Sequence, residues 1–293
     1  MEFFLPVLIK GVSVGVLYAI AATGFVMIFQ SSRVLNFAHG GLMAMGAFIF
    51  LILSSWGGLP ILFSFVLTLA GTFAIGLLLE KSLHHSFTKS NPVHGAVLTI
   101  GLALIFKSIF AFLSRINLHD YSEQSCEALS VNLGTVPIPG FSVAIFIVGG
   151  LFFMFFGLFF TSSQGIYMRS TIENRSAAFA LGVPVKRMLA LSWAIAAMAC
   201  AITGIALGIL NKASISDLGF IGLKVFPVVV LGGLNSIWGA ILGGILIGVL
   251  EALTKGYISA SLGEIIPYVA LFVMIVLKPG GFIGTAEVKR SWQ

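Results

Sequence analysis

The chain has 293 residues, 58% of them hydrophobic and 9% charged, with 34 glycines and a mean hydropathy of +1.09. Soluble domains carry about 25% charged residues, so too little polar surface remains here to cover a water-soluble globule, and two cysteines exclude a disulfide scaffold. The net charge of +6 fits cytoplasmic loops facing anionic membrane lipid. No basic stretch carries the interleaved aromatics of a nucleic-acid surface, so no nucleic acid is expected as a partner.

A bilayer core needs about 20 apolar residues per helix. Runs of that kind read at 5–30, 40–56, 59–80, 94–114, 141–163, 187–210, 236–254 and 263–278. They are continuous rather than alternating, which disfavours a membrane barrel and predicts an all-α polytopic membrane protein. Lys10 interrupts the first run and no small-residue cleavage site follows, so no cleavable signal peptide is expected. A shorter piece, 219–234, is carved by Gly219, Gly222, Pro227, Gly232 and Gly233. Its length gives about 24 Å of helix, short of the hydrocarbon thickness, and it reads as a broken or re-entrant span. The total is eight or nine spans in one transmembrane domain, 1–293.

Orientation follows from Lys and Arg. With the polar stretch 164–186 inside, Arg33, Lys81, Lys89, Arg169, Arg175, Lys186, Arg187, Lys278, Lys289 and Arg290 lie inside. Arg115, Lys212 and Lys255 then lie outside. Ten against three obeys the positive-inside rule. It places the N-terminus outside and the C-terminus in the cytoplasm, and requires the short piece to count as the ninth span. The outer loop 115–140 holds the acids Asp120, Glu123 and Glu127. Cys126 in that loop and Cys200 in a helix occupy different compartments, so no disulfide joins them. His39, His84, His85, His94 and His119 lack the spacing and partners of a zinc site, so no metal centre is expected.

An internal repeat appears at an offset of 199 residues. Asn36 to Gly40 align with Asn235 to Gly239, each where one apolar segment ends and a Gly-punctuated one begins. With this topology the copies run parallel, and repeated Gly-interrupted segments point to a transport pathway. Asn36, His39, Gly40, Lys224, Asn235 and Gly239 are the candidate pathway residues, with a helix-capping role as the alternative for the two asparagines. Glu80 and Glu251 fall near helix ends and are expected to snorkel to the interface, while Lys107 reads either as an ion pair or as part of the pathway. Gly15, Gly24, Gly46, Gly71, Gly76 and Gly204 are expected at close helix contacts.

Between the spans, about 165–183 reads as a short amphipathic cytoplasmic helix. Met168, Ile172, Phe179 and Val183 recur at helical spacing, Arg169, Glu173 and Ser176 share another face, and Gly182 with Pro184 ends the helix. It serves either as a connector on lipid headgroups or as a docking helix for a cytoplasmic partner.

Gly165, Met168, Arg169, Asn174, Ala178, Gly182 and Val183 together resemble the cytoplasmic coupling loop of ABC importer permeases. More narrowly, the chain resembles the branched-chain amino-acid (Liv-type) permease family, through LYAIAATGF at 17–25, NFAHG at 36–40, VLGGLNSIWGAILGG at 230–244 and KPGGFIG at 278–284. One departure is Gly41, where relatives usually carry an acidic residue. The loop 115–140 matches nothing in the family pattern.

The resemblance implies a permease subunit that forms the translocation path for branched-chain or related small amino acids. It also implies a homologous second permease, two ABC ATPase subunits that use ATP with Mg²⁺, and an extracytoplasmic solute-binding protein, in a bacterial-type cytoplasmic membrane. Met168, Arg169, Ile172, Glu173, Asn174, Ala178, Phe179 and Gly182 are then the ATPase-coupling residues. This chain has no phosphate-binding G-x-x-x-x-G-K-[ST] loop, so no cofactor is expected on it, and nothing in it suggests an enzyme. Residues alone leave open a stand-alone secondary transporter or channel for a small polar solute.

Overall fold

The computed structural model describes residues 4–89, 92–113, 130–133, 136–211, 218, 219, 221–278 and 280–283. In chain order it forms α1 (Phe4–Ser32), α2 (His39–Leu51) with a π-helical extension (Ile52–Trp56), α3 (Ile61–Lys89) and α4 (Pro92–Leu113). Then come β1 (Val131–Leu133), β2 (Val136–Ile138), α5 (Gly140–Thr161), α6 (Ser163–Glu173), α7 (Arg175–Ala180) and α8 (Val185–Asn211). A 3₁₀ turn (Gly222–Lys224) leads into α9 (Val225–Gly232), followed by α10 (Ile237–Tyr257) and α11 (Ala260–Leu277). All but α6, α7 and α9 are long and apolar enough to cross a membrane, eight helices among the described residues. The two strands form a small antiparallel ribbon in the sequence-predicted 115–140 loop, Val131 pairing with Ile138. Arg115, His119, Asp120, Glu123, Cys126 and Glu127 of that loop lie outside the described residues, as do Lys212, Lys289 and Arg290.

Each predicted apolar run became a helix, because a backbone in hydrocarbon satisfies its polar groups only within the segment. Packing divides the chain into two compact units: residues 1–26, 122–149 and 223–293, and residues 27–121 and 150–222.

In the first unit the beginning of α1 packs on α10 through small residues. A Cβ at Gly11 would meet Ala252 at 2.9 Å, one at Gly15 would meet Ile245 at 2.8 Å, and one at Gly244 would fall on Ala19. Gly11, Gly15 and Ala19 recur every fourth residue, as do Gly244, Gly248 and Ala252, so two small-residue stripes let the backbones touch. Rising numbers on α1 meet falling numbers on α10, which makes the pair antiparallel.

In the second unit α8 is the core. Trp193 and Ala196 of α8 pack with Ile28 at the end of α1, and Leu79 of α3 covers them. Buried residues make up 78% of the span window of α8 but 22% in α3 and α4, which therefore turn most of their surface outward. Gly76 rests on Ala194, Gly46 on Ala201 and Gly204 on the Met43 backbone, each too close for a side chain. Gly71, expected at such a contact, has open space where its Cβ would be. It lies on the outward part of α3.

Candidate translocation and coupling sites

Asn36 lies in the six-residue break between α1 and α2. Arg33, at φ 57°, ends α1 in the left-handed conformation, with its N–H donating to Phe29 O at 2.7 Å. Thr99 of α4 pins the extended stretch: its Oγ1 accepts from Phe37 N at 3.2 Å and donates to Leu35 O at 2.9 Å. Asn36 Oδ1 accepts from Ala38 N at 3.0 Å, turning the chain into α2. The start of α2 lies well inside the bundle. His39 is buried against Cys200, with 3.4 Å between Sγ and each ring nitrogen, midway along the 27-residue α8. Cys200 is a free, buried thiol. Gly40 lets two backbones approach: a Cβ there would fall on the Gly219 carbonyl, and one at Gly222 would fall on Gly40 Cα.

The second copy of the repeat also lies at a helix break but is built differently. Gly233, at φ 103°, ends α9, and Ser236, rather than Asn235, caps α10 by accepting from Gly239 N at 3.0 Å. Asn235 is exposed. Gly239 packs on Gly232, and the tail returns to this corner, with Phe282 N donating to Leu231 O at 2.9 Å. The two asparagines therefore differ in setting: one is sealed in the protein, the other lies on its surface.

Lys224 starts α9 within a buried polar cluster. Its Nζ donates to Glu251 Oε1 at 2.9 Å, Lys255 Nζ sits 2.8 Å from the same oxygen, and Tyr18 OH donates to Oε2 at 2.8 Å. Glu251 does not snorkel, contrary to its place near a helix end. Its side chain is 5% exposed because three donors hold it inside. Glu80 is also buried, since α3 continues beyond it to Lys89. Lys107 lies on an exposed part of α4.

The 165–183 segment is not one helix. Asn174 is extended (φ −153°, ψ 104°) and splits it into α6 and α7, capping the second by accepting Ala177 N at 3.0 Å. The break also divides the predicted apolar stripe. Met168 is buried within the chain and Ile172 is half-buried, whereas Phe179 and Leu181 at the end of α7 are 75% and 84% exposed. Met168 thus anchors the segment to its own protein and is unavailable to a partner. Arg169, Glu173 and Asn174 are exposed, Ala178 is buried, and Gly182 takes the left-handed conformation (φ 82°) that ends α7. Arg175 donates to the carbonyl of Ser31 in the last turn of α1, a cation on a helix C-terminus. Burial, then nearby Arg33, pull the Arg175 guanidinium below its usual range, and the Glu80 carboxylate opposes them. Ser31 Oγ in turn lies 2.6 Å from Ser192 Oγ of α8.

A family model described as the branched-chain amino acid transport system permease component matches residues 7–277. The chain belongs to this permease family. It is 27% identical to the high-affinity branched-chain amino acid transport system permease protein LivH of Salmonella typhimurium, over 98% of each chain. It is 28% identical to the corresponding protein BraD of Pseudomonas aeruginosa, again over 98% of each. It is 24% identical to a probable LivH permease of Methanocaldococcus jannaschii, over 92% of this chain and 89% of that one. No solved structure matches it.

Sequence reasoning missed Tyr18, Glu251 and Lys255 as one cluster in this permease, and Arg175 as the tie between α7 and α1. Glu251 and Lys255 stand four residues apart on one helix, a legible pair. Tyr18 and Ser31 carry no such signal, because their partners are far along the chain.

Proposed function

We propose that this permease is the membrane subunit of an ABC importer that takes up branched-chain or related small amino acids. The observation that carries this reading is the bare apolar tip of α7, fixed through Arg175 to the end of α1, where the chain breaks before α2. A protruding pair of apolar side chains on a braced short helix suits the groove of a partner, and the brace gives a push there a route to the break. The relatives named for branched-chain amino acid transport support the solute class. In this reading two separate ATPase subunits hydrolyse ATP with Mg²⁺. A homologous permease completes the path, and a binding protein delivers solute from outside.

Phe179→Ala is expected to release the ATPase or to abolish solute stimulation of its activity, since a buried interface anchor often costs about 2 kcal/mol or more. Glu173→Ala at the rim is expected to cost less. ATPase retention on the purified complex and stimulated activity in proteoliposomes measure both. Unchanged values for Phe179→Ala would leave α7 as a lipid-surface connector.

The relatives named support a bacterial cytoplasmic membrane location, and the Lys/Arg bias supports α6 and α7 inside and the N-terminus outside. In a Cys126→Ser background, a cysteine at Ser55 is expected to react with an impermeant maleimide on intact cells, and one at Ser176 only after permeabilisation. The opposite pattern reverses the orientation.

A further inference from the structure

The geometry points to a subsite for the carboxylate of the transported solute, formed by the side-chain amide of Asn36 and the N-terminus of α2. It rests on the importer reading above and names the group of the solute that is recognised.

Several backbone and hydroxyl groups of the α1–α2 break have partners. Ser32 Oγ donates to Ile28 O at 2.6 Å, Val34 N donates to Ser32 Oγ at 3.3 Å, and Thr99 binds Leu35 and Phe37. Asn36 is 1% exposed, yet its Nδ2 has no hydrogen-bond partner among the described residues. Its orientation is not arbitrary, because Ala38 N–H requires the oxygen on its own side, leaving the NH₂ as the unused donor. A buried donor without an acceptor is costly, and native structures keep such groups for a reason.

The same side chain, through its oxygen, holds the N–H of Ala38, the residue that leads into a 13-residue helix. The first turn of that helix has no side-chain cap and no acidic residue, and the N–H groups of Gly40 and Gly41 have no acceptor among the described residues. Unpaired amides at the positive end of a helix favour an anion, and here they lie level with the middle of α8, as the His39–Cys200 contact shows. Non-helical backbone at membrane depth is tolerated where it is buried in protein or lines a path, and solute sites of transporters recur at such broken helices. An amide donor with helix amides, and no full charge between them, suits an α-carboxylate that must bind and then leave. The Gly219 and Gly222 backbones lie directly against Gly40. The second break offers no equivalent, since Ser236 already caps α10 and Asn235 is exposed.

The test compares Asn36→Asp, Asn36→Ser and Asn36→Ala in the permease reconstituted with its ATPases and binding protein, reading uptake of radiolabelled leucine. Asp keeps the acceptor for Ala38 N–H, removes the donor and adds a negative charge; Ser keeps an acceptor and stays neutral. A carboxylate subsite makes Asp the worst replacement, with uptake at subsaturating leucine reduced about tenfold or more, and Ser intermediate. A capping role alone gives the reverse order, with Asp and Ser near wild type and Ala worst. Either that order, or wild-type uptake by assembled Asn36→Asp, overturns the subsite. Thermal unfolding and co-purification of the ATPases identify any variant that fails to assemble, and the Ser-to-wild-type ratio then decides. Uptake by the wild type reports on the importer reading and the variant ratios on the subsite, so the two fail separately.

Discussion

Glu251→Ala is expected to destabilise the permease by about 3–5 kcal/mol, the cost of removing one partner from a buried ion pair. The loss follows from what stays behind. Lys224, with a side chain 13% exposed, would keep its charge next to apolar helix with no carboxylate, and Tyr18 OH would lose its acceptor. Lys255, with a side chain 35% exposed, has a way out to the interface and suffers less. Glu251→Gln retains an acceptor for Tyr18 and should fall between. The double variant Lys224→Met, Glu251→Leu should recover much of the loss, because well-packed apolar groups replace a buried pair at little cost. Thermal unfolding of the purified protein in detergent gives the order, and an unshifted midpoint for Glu251→Ala would remove the cluster from the list of structural supports. The same order in uptake, at fixed amounts of assembled protein, would show that the cluster holds α9 in place rather than binding solute.

The other large effect is expected at the α1–α10 contact. In Gly248→Leu the new Cβ would land on Gly15 Cα and N, and 2.7 Å from the Gly11 carbonyl. Backbone cannot rotate away as a side chain does, so the helices must separate along the whole stripe. Overpacking of this kind costs about 1–3 kcal/mol, and more when backbone has to shift. Gly71→Leu is the internal control. It has open space around its Cβ, and leucine is the better helix former by close to 1 kcal/mol, so it should be neutral or mildly stabilising. Equal destabilisation by the two would mean that glycine acts here through helix propensity and not through contact. Yield and unfolding temperature of the two variants, measured in parallel, separate these outcomes.

Family membership, span positions and the two helix breaks were legible before any coordinates, for one physical reason. In hydrocarbon the backbone satisfies its own hydrogen bonds, so an apolar run of sufficient length has to be a helix wherever it occurs, and glycine and asparagine mark where it stops. The left-handed turn at Gly182 was legible on the same local grounds. The segment around 165–183 shows the limit. Its apolar spacing reads as one helix, but Asn174 caps a second one, and a residue able to cap does not announce whether it will. Once the chain bends there, Met168 and Phe179 no longer share a face, and one is buried while the other is bare.

Which of several similar polar residues is inside was decided by tertiary structure alone. Asn36 and Asn235 stand at equivalent places in a repeat, yet Ser236 takes over the cap in one copy and leaves its asparagine on the surface. Glu251 has the look of an interfacial acid until Tyr18 and Lys224, from segments far apart in sequence, converge on it. By itself the sequence determined that this chain crosses a membrane many times, belongs with a family of solute permeases and has breaks in its helices, because those properties depend on transfer free energy and local backbone chemistry. The partners of each buried charge, the sealed amide at Asn36 and the bare tip of α7 depend on which helices touch. That choice is made by side-chain volume and by glycine contacts between distant segments, and no local pattern encodes it.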